Sequence, residues 1–170
     1  MSASRRLVVA HLTPHHHPFD PRIFAECRSL AQAGFDVVLV APHTADEVRD
    51  GVRLRAIRRS RNRFERVTRT AFSCLWRGIA ERPALFHLHD PEMILWGVLL
   101  RLLGRPVIYD VHEDYRTAAL VRPWIPTALR RMMAALTELL LALARHSFHV
   151  VIAERYYARI FPNATAVLNY

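Results

Sequence analysis

Mostly apolar runs alternate with amphipathic segments along the chain, and this alternation restricts the fold more than any other feature. The predicted strands are 7–12, 35–41, 51–57, 84–88, 106–111, 148–153 and 165–168. Between most of them, apolar residues recur at helical spacing, as at Ile23, Cys27 and Leu30. Buried strands that are separated by helices pair in parallel. The sequence therefore predicts an α/β protein with an open, doubly wound, mostly parallel sheet of about six to seven strands and helices on both faces.

Length and composition fit a single domain of this kind. The chain has 170 residues, and 52% of them are apolar, which is enough for a buried core. Two cysteines, Cys27 and Cys74, are too few for a disulfide framework or a cysteine-based zinc site. No apolar stretch reaches the roughly 18 residues of a membrane-spanning helix. The run at 7–10 is too short for a signal peptide, so we expect a cytoplasmic protein.

Positive charge is concentrated in one segment. All 24 basic residues are arginine, and the formal net charge is +9. Residues 49–69 contain nine arginines and two acidic residues and therefore carry +7. Such a block is typical of a surface that meets an anionic partner, and also of a solvated loop. The arginines that we consider for contact with an anionic surface are Arg53, Arg55, Arg58, Arg59, Arg61 and Arg63.

Histidines and acidic residues lie near or after the ends of three of the predicted strands. The first group is His15, His16, His17 and Asp20 with Arg22; the second is His87, His89, Asp90 and Glu92; the third is His112, Glu113 and Asp114. The carboxyl ends of parallel strands lie at one edge of the sheet, where ligands bind in doubly wound folds. Histidine suits hydrogen bonding and proton transfer near neutral pH. The sequence therefore predicts a functional site at this edge.

The helix predicted after the first strand has a clear start, since Asp20 precedes Pro21. Its free N–H groups, with Arg22 in the first turn, would suit a phosphate. The sequence contains no glycine-rich dinucleotide loop, no P-loop and no nucleophile elbow. Ordinary nucleotide sites and α/β-hydrolase sites are therefore disfavoured.

Several segments resemble the beginning of family 4 glycosyltransferases. They include HLT at 11–13, PFDPRIFAE at 18–26, SLA at 29–31, GFDV at 34–37, HLHDPE at 87–92 and VIYDVHED at 107–114. Phe161-Pro162 and VLNY at 167–170 are similar to the run into the family's interdomain junction. Each motif is short, but together they extend over nearly the whole chain.

This resemblance implies the GT-B architecture, in which two Rossmann-like lobes face each other across a cleft. Residues 1–170 would form the N-terminal, acceptor-side lobe, and a C-terminal lobe with most of the nucleotide-sugar site would lie outside them. The implied reaction is hexosyl-type transfer from a nucleotide-sugar to a glycan, lipid-linked or small-molecule acceptor. It proceeds with retention at the anomeric carbon and without a cofactor or a required metal. Because the cleft would be incomplete, we expect the chain alone to be inactive.

The resemblance also assigns roles to residues. His112 matches the family's histidine beside the transferred sugar, and we take it as the catalytic residue that contacts the sugar and supports the transition state. The loop expected to face the donor phosphates and the acceptor contains His15, His16, His17, Asp20 and Arg22. Three histidines stand there where many members carry glycines. The acceptor-side rim is expected to contain His89, Asp90 and Glu113.

Two other functions are compatible with the residues. A metal-dependent hydrolase is one, because His87, His89 and Asp90, with His112 and Glu113, offer ligand types for zinc or manganese. A basic nucleic-acid-binding module is the other, built on residues 49–69. That segment offers little for base stacking beyond Phe64 and the nearby Phe72, so we expect no nucleic-acid partner.

Within the glycosyltransferase interpretation, the arginine block predicts peripheral attachment at the inner face of a membrane. Each arginine near an anionic lipid surface contributes roughly 1 kcal/mol. Trp76, Trp96 and Trp124 are candidates for interfacial anchors, although we expect them in the apolar core. The expected partners are the second lobe, a nucleotide-sugar, a carbohydrate or lipid-linked acceptor, and an anionic membrane surface.

Overall fold

The computed structural model describes residues 6–121, 123 and 126–168. Its strands are β1 (Val8–Leu12), β2 (Asp36–Pro42), β3 (Glu47–Arg49), β4 (Val52–Ile57), β5 (Leu85–Leu88), β6 (Val107–Val111), β7 (His149–Ile152) and β8 (Thr165–Ala166). They form one sheet in the order β3-β4-β2-β1-β5-β6-β7-β8. Within this part of the chain, β3 and β4 pair antiparallel and the other neighbours pair in parallel. The predicted mostly parallel sheet is confirmed, and the short β3 adds a strand to the expected number.

Helices connect these strands. They are α1 (Pro21–Gln32), α2 (Arg63–Glu65), α3 (Ala71–Ala80), α4 (Ile94–Leu102), α5 (Tyr115–Val121) and α6 (Thr127–Ser147), with a π-helical turn at Arg66–Thr70 and 3₁₀ turns at Pro91–Met93 and Arg155–Arg159. The predicted cap of α1 is confirmed, because the Asp20 side chain accepts hydrogen bonds from the N–H groups of Arg22 and Ile23. Trp124, Asn169 and Tyr170 lie outside the described residues. Among the helices described, none has the length and apolar character needed to cross a membrane.

The sheet separates two apolar cores. The larger one includes Phe86, Leu88 and Tyr109 and is covered by helices α3, α4 and α6. The smaller one lies under α1 and includes Ile23 and Cys27. The residues that β2 and β4 contribute to the smaller core are Val37, Leu39, Ala41, Val52 and Leu54. Each of these strands thus supplies alternate residues to the α1 side, as a buried sheet requires.

Two tryptophans differ in their environment. Trp96 packs against the larger core, as expected. Trp76 on α3 is 67% exposed, so the expectation that it belongs to the core is wrong. The helix instead turns Cys74 and Leu75 toward the sheet, and both are buried.

Candidate active site

Polar residues occupy the α1 side of three central strands. On β1, β5 and β6, alternate residues such as Leu12, Leu88 and Val111 point into the larger core. The intervening positions on the opposite side carry His11, His87, His89, Asp110 and His112. This polar set lies next to the smaller core, toward the carboxyl ends of the strands. The predicted location of the site is therefore the place where these side chains meet.

Three of the histidines form a hydrogen-bonded row. His11 Nδ1 lies 2.9 Å from His89 Nε2, and His89 Nδ1 lies 3.2 Å from His112 Nε2. His87 stacks on His89, with ring centroids 4.6 Å apart. Burial lowers the pKa of His11 and of His112 to about 4, despite the opposing charge of Asp110. Burial likewise keeps the pKa values of His87 and His89 well below the ordinary value, so the row is neutral at pH 7.

Arg22 balances two carboxyl groups behind this row, the buried Asp110 and the half-buried Glu26. Its Nη2 donates to Asp110 Oδ1 at 2.5 Å, and its Nε donates to Glu26 Oε1 at 3.2 Å. The other Asp110 oxygen faces His89 Nδ1 at 3.4 Å and His112 Nε2 at 3.5 Å. Burial and the Asp110 charge raise the pKa of Glu26, while Arg22 opposes them. The Arg22 guanidinium, expected to meet a phosphate, is thus engaged inside the fold.

The loop after β1 brings His16 to His112. Thr13 Oγ1 donates to Asp90 Oδ2 at 2.6 Å and accepts from the backbone N–H of His16 at 3.0 Å. His16 Nε2 lies 3.4 Å from Asp90 Oδ1, and its ring centroid is 5.6 Å from that of His112. Asp20 borders this group, with Oδ2 3.7 Å from His16 Nδ1. The exposed part of the site is formed by His16, Asp20 and His112, whereas Thr13 and Asp90 lie buried behind them.

The remaining loop and rim residues are distributed differently. His17 packs beside Phe19, with ring centroids 5.6 Å apart, and not against the histidine row. Glu113 is exposed. His89 and Asp90, expected at the acceptor-side rim, are buried beneath His112 and His16. These two residues lie behind the surface of the site because His89 points toward α1 and Asp90 accepts a hydrogen bond from Thr13.

The arginine segment divides into paired and exposed residues. Arg53 and Arg55 bind Glu81, and Arg53 also donates to Asp36 at 2.9 Å, so both are half-buried ion-pair partners. Arg58, Arg59, Arg61 and Arg63 are exposed. Arg66, which was not among the candidates, reaches the site: its Nη2 lies 2.6 Å from Glu92 Oε1 and its Nη1 lies 3.1 Å from His15 Nδ1.

The sequence and the fold were compared with those of known proteins. Residues 22–159 match the profile of Glycosyltransferase Family 4. This chain belongs to glycosyltransferase family 4. No curated protein matches its sequence at a significant level.

Solved structures with a similar fold are GT-B glycosyltransferases. Sucrose-phosphate synthase from Thermosynechococcus elongatus has a TM-score of 0.67 and 15% identity, over 96% of this chain and 47% of that protein. Glycyrrhiza uralensis UGT73P12, complexed with glycyrrhetinic acid 3-O-monoglucuronide, has a TM-score of 0.60 and 10% identity, over 96% and 48%. The family 4 domain therefore has the Rossmann-like GT-B fold, and it spans about half the length of these chains.

Three residues of the family 4 domain, two buried and one half-buried, escaped prediction as site residues. They are His11, Glu26 and Asp110, each of which lies inside a predicted element. A signal was present for two of them, since His11 and Asp110 interrupt otherwise apolar strands. Because the register of the strands is not visible in a sequence, their convergence was not predicted.

The ligand set considered for a hydrolase does not assemble. His87 and His89 are neighbours, but Asp90 is held by Thr13 and His16, and Glu113 is exposed. The hydrolase interpretation therefore lacks its carboxylates, and the family match supports a transferase.

Proposed function

We propose that this domain is the acceptor-binding lobe of a retaining glycosyltransferase. It acts with a second lobe that holds the nucleotide-sugar, and the sugar is transferred to a glycan, lipid-linked or small-molecule acceptor. The observation that carries the proposal is the position of His112. Its side chain is 14% exposed at the carboxyl end of β6 and is supported from behind by His89 and Asp110.

A neutral, fixed imidazole suits glycosyl transfer. Positive charge develops on the sugar ring in the transition state, and hydrogen bonds to sugar hydroxyls strengthen as it forms. His112 remains uncharged at pH 7 because burial lowers its pKa to about 4. It would therefore hold a sugar hydroxyl without adding like charge to the reacting ring. His16, whose ring lies beside it, would extend the same polar surface toward the acceptor.

Two assays test this function. The 170-residue chain alone, incubated with a panel of nucleotide-sugars and glycan or lipid acceptors, should give no transfer. Robust turnover by the chain alone would contradict the need for a second lobe. The coding sequence beyond Tyr170 should then be read. If it encodes a second α/β lobe, the protein that contains both lobes should transfer sugar.

The role of His112 is tested in the active two-lobe protein. His112→Ala should reduce kcat about 10²- to 10³-fold, the range seen when a transition-state hydrogen-bond donor is removed. His17→Ala is the matched control, because His17 comes from the same set of histidines but packs beside Phe19. Equal losses in the two variants would argue against a specific role for His112.

We also propose that the domain attaches to an anionic membrane surface. Arg58, Arg59, Arg61 and Arg69 are exposed next to apolar side chains that face solvent, namely Phe64, Val67, Phe72 and Trp76. Arg66 ties this segment to the loop that carries His15. Attachment there would bring the site close to a lipid-linked acceptor.

A further inference from the structure

Four residues on the α1 side of the sheet converge beneath the candidate active site. His11 on β1 and His87 on β5 are register partners, and His89 lies two residues further on the same side of the chain. Glu26 faces them from α1. One ligand atom from each of the four lies within 4.8 Å of the corresponding atoms of the others.

Three of these residues end in polar atoms without a partner. Among the described residues, His11 Nε2, His87 Nε2 and Glu26 Oε2 are buried and have no hydrogen-bond partner. His11 is fully buried and His87 is 8% exposed. Buried polar atoms are nearly always satisfied, and each exception calls for an explanation such as an ion. Here three such atoms belong to one cluster.

We propose that His11, Glu26, His87 and His89 bind one Zn²⁺ ion. Three imidazoles and one carboxylate are a ligand set that zinc takes in tetrahedral sites. Zinc at about 2.0–2.2 Å from each donor brings the donors to about 3.4 Å from one another. The donors now lie within 4.8 Å of one another and would have to approach by up to about 1.4 Å to complete that geometry. The site is separate from the hydrolase set, because neither Asp90 nor Glu113 belongs to it.

Charge and surrounding contacts support the same assignment. Two carboxyl groups, the half-buried Glu26 and the buried Asp110, face a single arginine, Arg22, and a divalent cation at the cluster would take the place of the proton that the raised pKa favours on Glu26. Asp110 Oδ2 lies 3.4 Å from His89 Nδ1. A carboxylate behind the second ring nitrogen is the usual way in which a zinc-bound histidine is oriented.

The ion has a route to this cluster. A surface groove of about 710 Å³ is lined by residues that include Arg22, Glu26, Ser29, His87 and Val151. Two of the four ligands therefore border the groove. Zinc on His89 Nε2 would replace that atom's hydrogen bond to His11 Nδ1 and would fix the His89 ring, whose Nδ1 contacts His112.

Cobalt spectroscopy and metal analysis test the site. The tag-free 170-residue chain is stripped with EDTA and titrated with Co²⁺, and it should develop the visible bands of tetrahedral cobalt, which Zn²⁺ then abolishes. After gel filtration with Zn²⁺, the chain should retain one ion. A folded chain that shows neither cobalt bands nor retained zinc overturns the proposal.

Variants locate the ion. Glu26→Gln and His87→Gln should weaken zinc binding at least about tenfold, whereas the exposed His146→Gln should bind like the parent chain. Circular dichroism verifies that each variant is folded. If a variant is not folded, the cobalt spectrum of the parent chain decides whether the site binds a metal ion. His112→Gln tests the alternative in which the ion binds to the group of His89, Asp110 and His112. Loss of zinc in His112→Gln, with normal binding in Glu26→Gln, would place the ion in that group and overturn this proposal.

Discussion

Arg22 carries more of the site's charge balance than any other described side chain. Its side chain is 11% exposed, and its guanidinium contacts both Asp110, which is fully buried, and Glu26. An ionised carboxylate inside a protein is costly unless it is paired. The position of α1 over the sheet therefore depends on this guanidinium as well as on the apolar contacts of Ile23 and Cys27.

Removal of this guanidinium should strongly destabilise the domain. Arg22→Gln leaves Asp110 buried without its cation, and breaking such a pair costs about 3–5 kcal/mol. The free energy of unfolding, measured with urea in the presence of EDTA, checks this value. The double variant Arg22→Gln/Asp110→Asn should regain part of the loss, because it removes the unpaired charge.

Arg28→Gln is the control for this series. Arg28 lies on the same helix and is exposed, so its replacement should change the free energy of unfolding by less than about 0.5 kcal/mol. If Arg22→Gln were no more destabilising than Arg28→Gln, the buried ion pair would contribute little to stability.

Among single residues, the sequence reveals site residues at the ends of strands more readily than those within strands. His112 and His16 follow strands, where polar residues in a doubly wound fold are expected to bind ligands. His11 and Asp110 lie within strands, and their meaning depends on which strands are neighbours. That order, with β1 between β2 and β5, is set by long-range packing. A local pattern therefore predicts the residues at the strand ends, including His87 and His89, but not His11 and Glu26, which join them in the cluster.

Helix α4 approaches the sheet closely at Gly97. A Cβ atom added there would lie 2.6 Å from Leu88 Cδ1 and 2.8 Å from Phe148 Cζ. Both neighbours are buried in the larger core. The glycine therefore sets the distance between this helix and β5.

Gly97→Ala should destabilise the domain. Alanine favours a helix by about 1 kcal/mol over glycine, but overpacking of a core costs about 1–3 kcal/mol. We expect a net loss of up to about 2 kcal/mol in urea unfolding. Leu95→Ala, at a position of the same helix that is 62% exposed, should have a smaller effect. A gain in stability for Gly97→Ala would mean that α4 can shift away from β5 without loss of packing energy.

Ion pairs also join the end of α3 to strand β4. Glu81 accepts hydrogen bonds from Arg53 and from Arg55, the latter at 2.5 Å. Burial of Glu81 opposes its ionisation, but these hydrogen bonds lower its pKa below the usual 4.5. A carboxyl group with a lowered pKa in the folded state stabilises the fold above its unfolded pKa. That contribution is lost as the pH falls through the folded value.

Glu81→Gln should therefore have a pH-dependent effect. At pH 7 we expect it to lower the free energy of unfolding by about 1–3 kcal/mol, because two charged hydrogen bonds are weakened. The difference from the parent chain should shrink as the pH falls below 4.5 and through the lower pKa of folded Glu81, where the parent's carboxylate loses its charge. Glu47→Gln, at an exposed position on β3, should show no such dependence. A constant difference from pH 7 to pH 3 would contradict the role of ionised Glu81.

Among the secondary-structure elements, the bounds of the buried strands were predicted most closely. Strands β1, β2, β5 and β6 are apolar runs whose ends differ from prediction by one residue or less. The helical segment between β4 and β5 is interrupted by the π-helical turn at Arg66–Thr70, where Arg66 reaches Glu92. This contact joins residues that are far apart in the sequence, so the spacing of apolar residues does not reveal it. Strand β3 and helix α5 were not predicted because each is short and carries little apolar pattern.

Over the whole molecule, only part of the positive charge of residues 49–69 faces solvent. Arg53 and Arg55 are neutralised by acidic partners, whereas Arg58, Arg61 and Arg69 line a surface groove of about 440 Å³ together with Phe64. Phe64 is 80% exposed and Trp76 is 67% exposed. Arginines beside exposed aromatic rings are typical of surfaces that meet a membrane interface.

Vesicle sedimentation tests this surface. The chain should pellet with vesicles that contain phosphatidylglycerol and stay in solution with pure phosphatidylcholine. Since each arginine contributes roughly 1 kcal/mol, the triple variant Arg58→Gln/Arg61→Gln/Arg69→Gln should bind about 100-fold more weakly. The control Arg28→Gln/Arg105→Gln/Arg116→Gln removes the same charge from exposed positions elsewhere and should bind like the parent chain. Equal partitioning to both vesicle types, or equal losses in the two triple variants, would show that the segment is not a membrane surface.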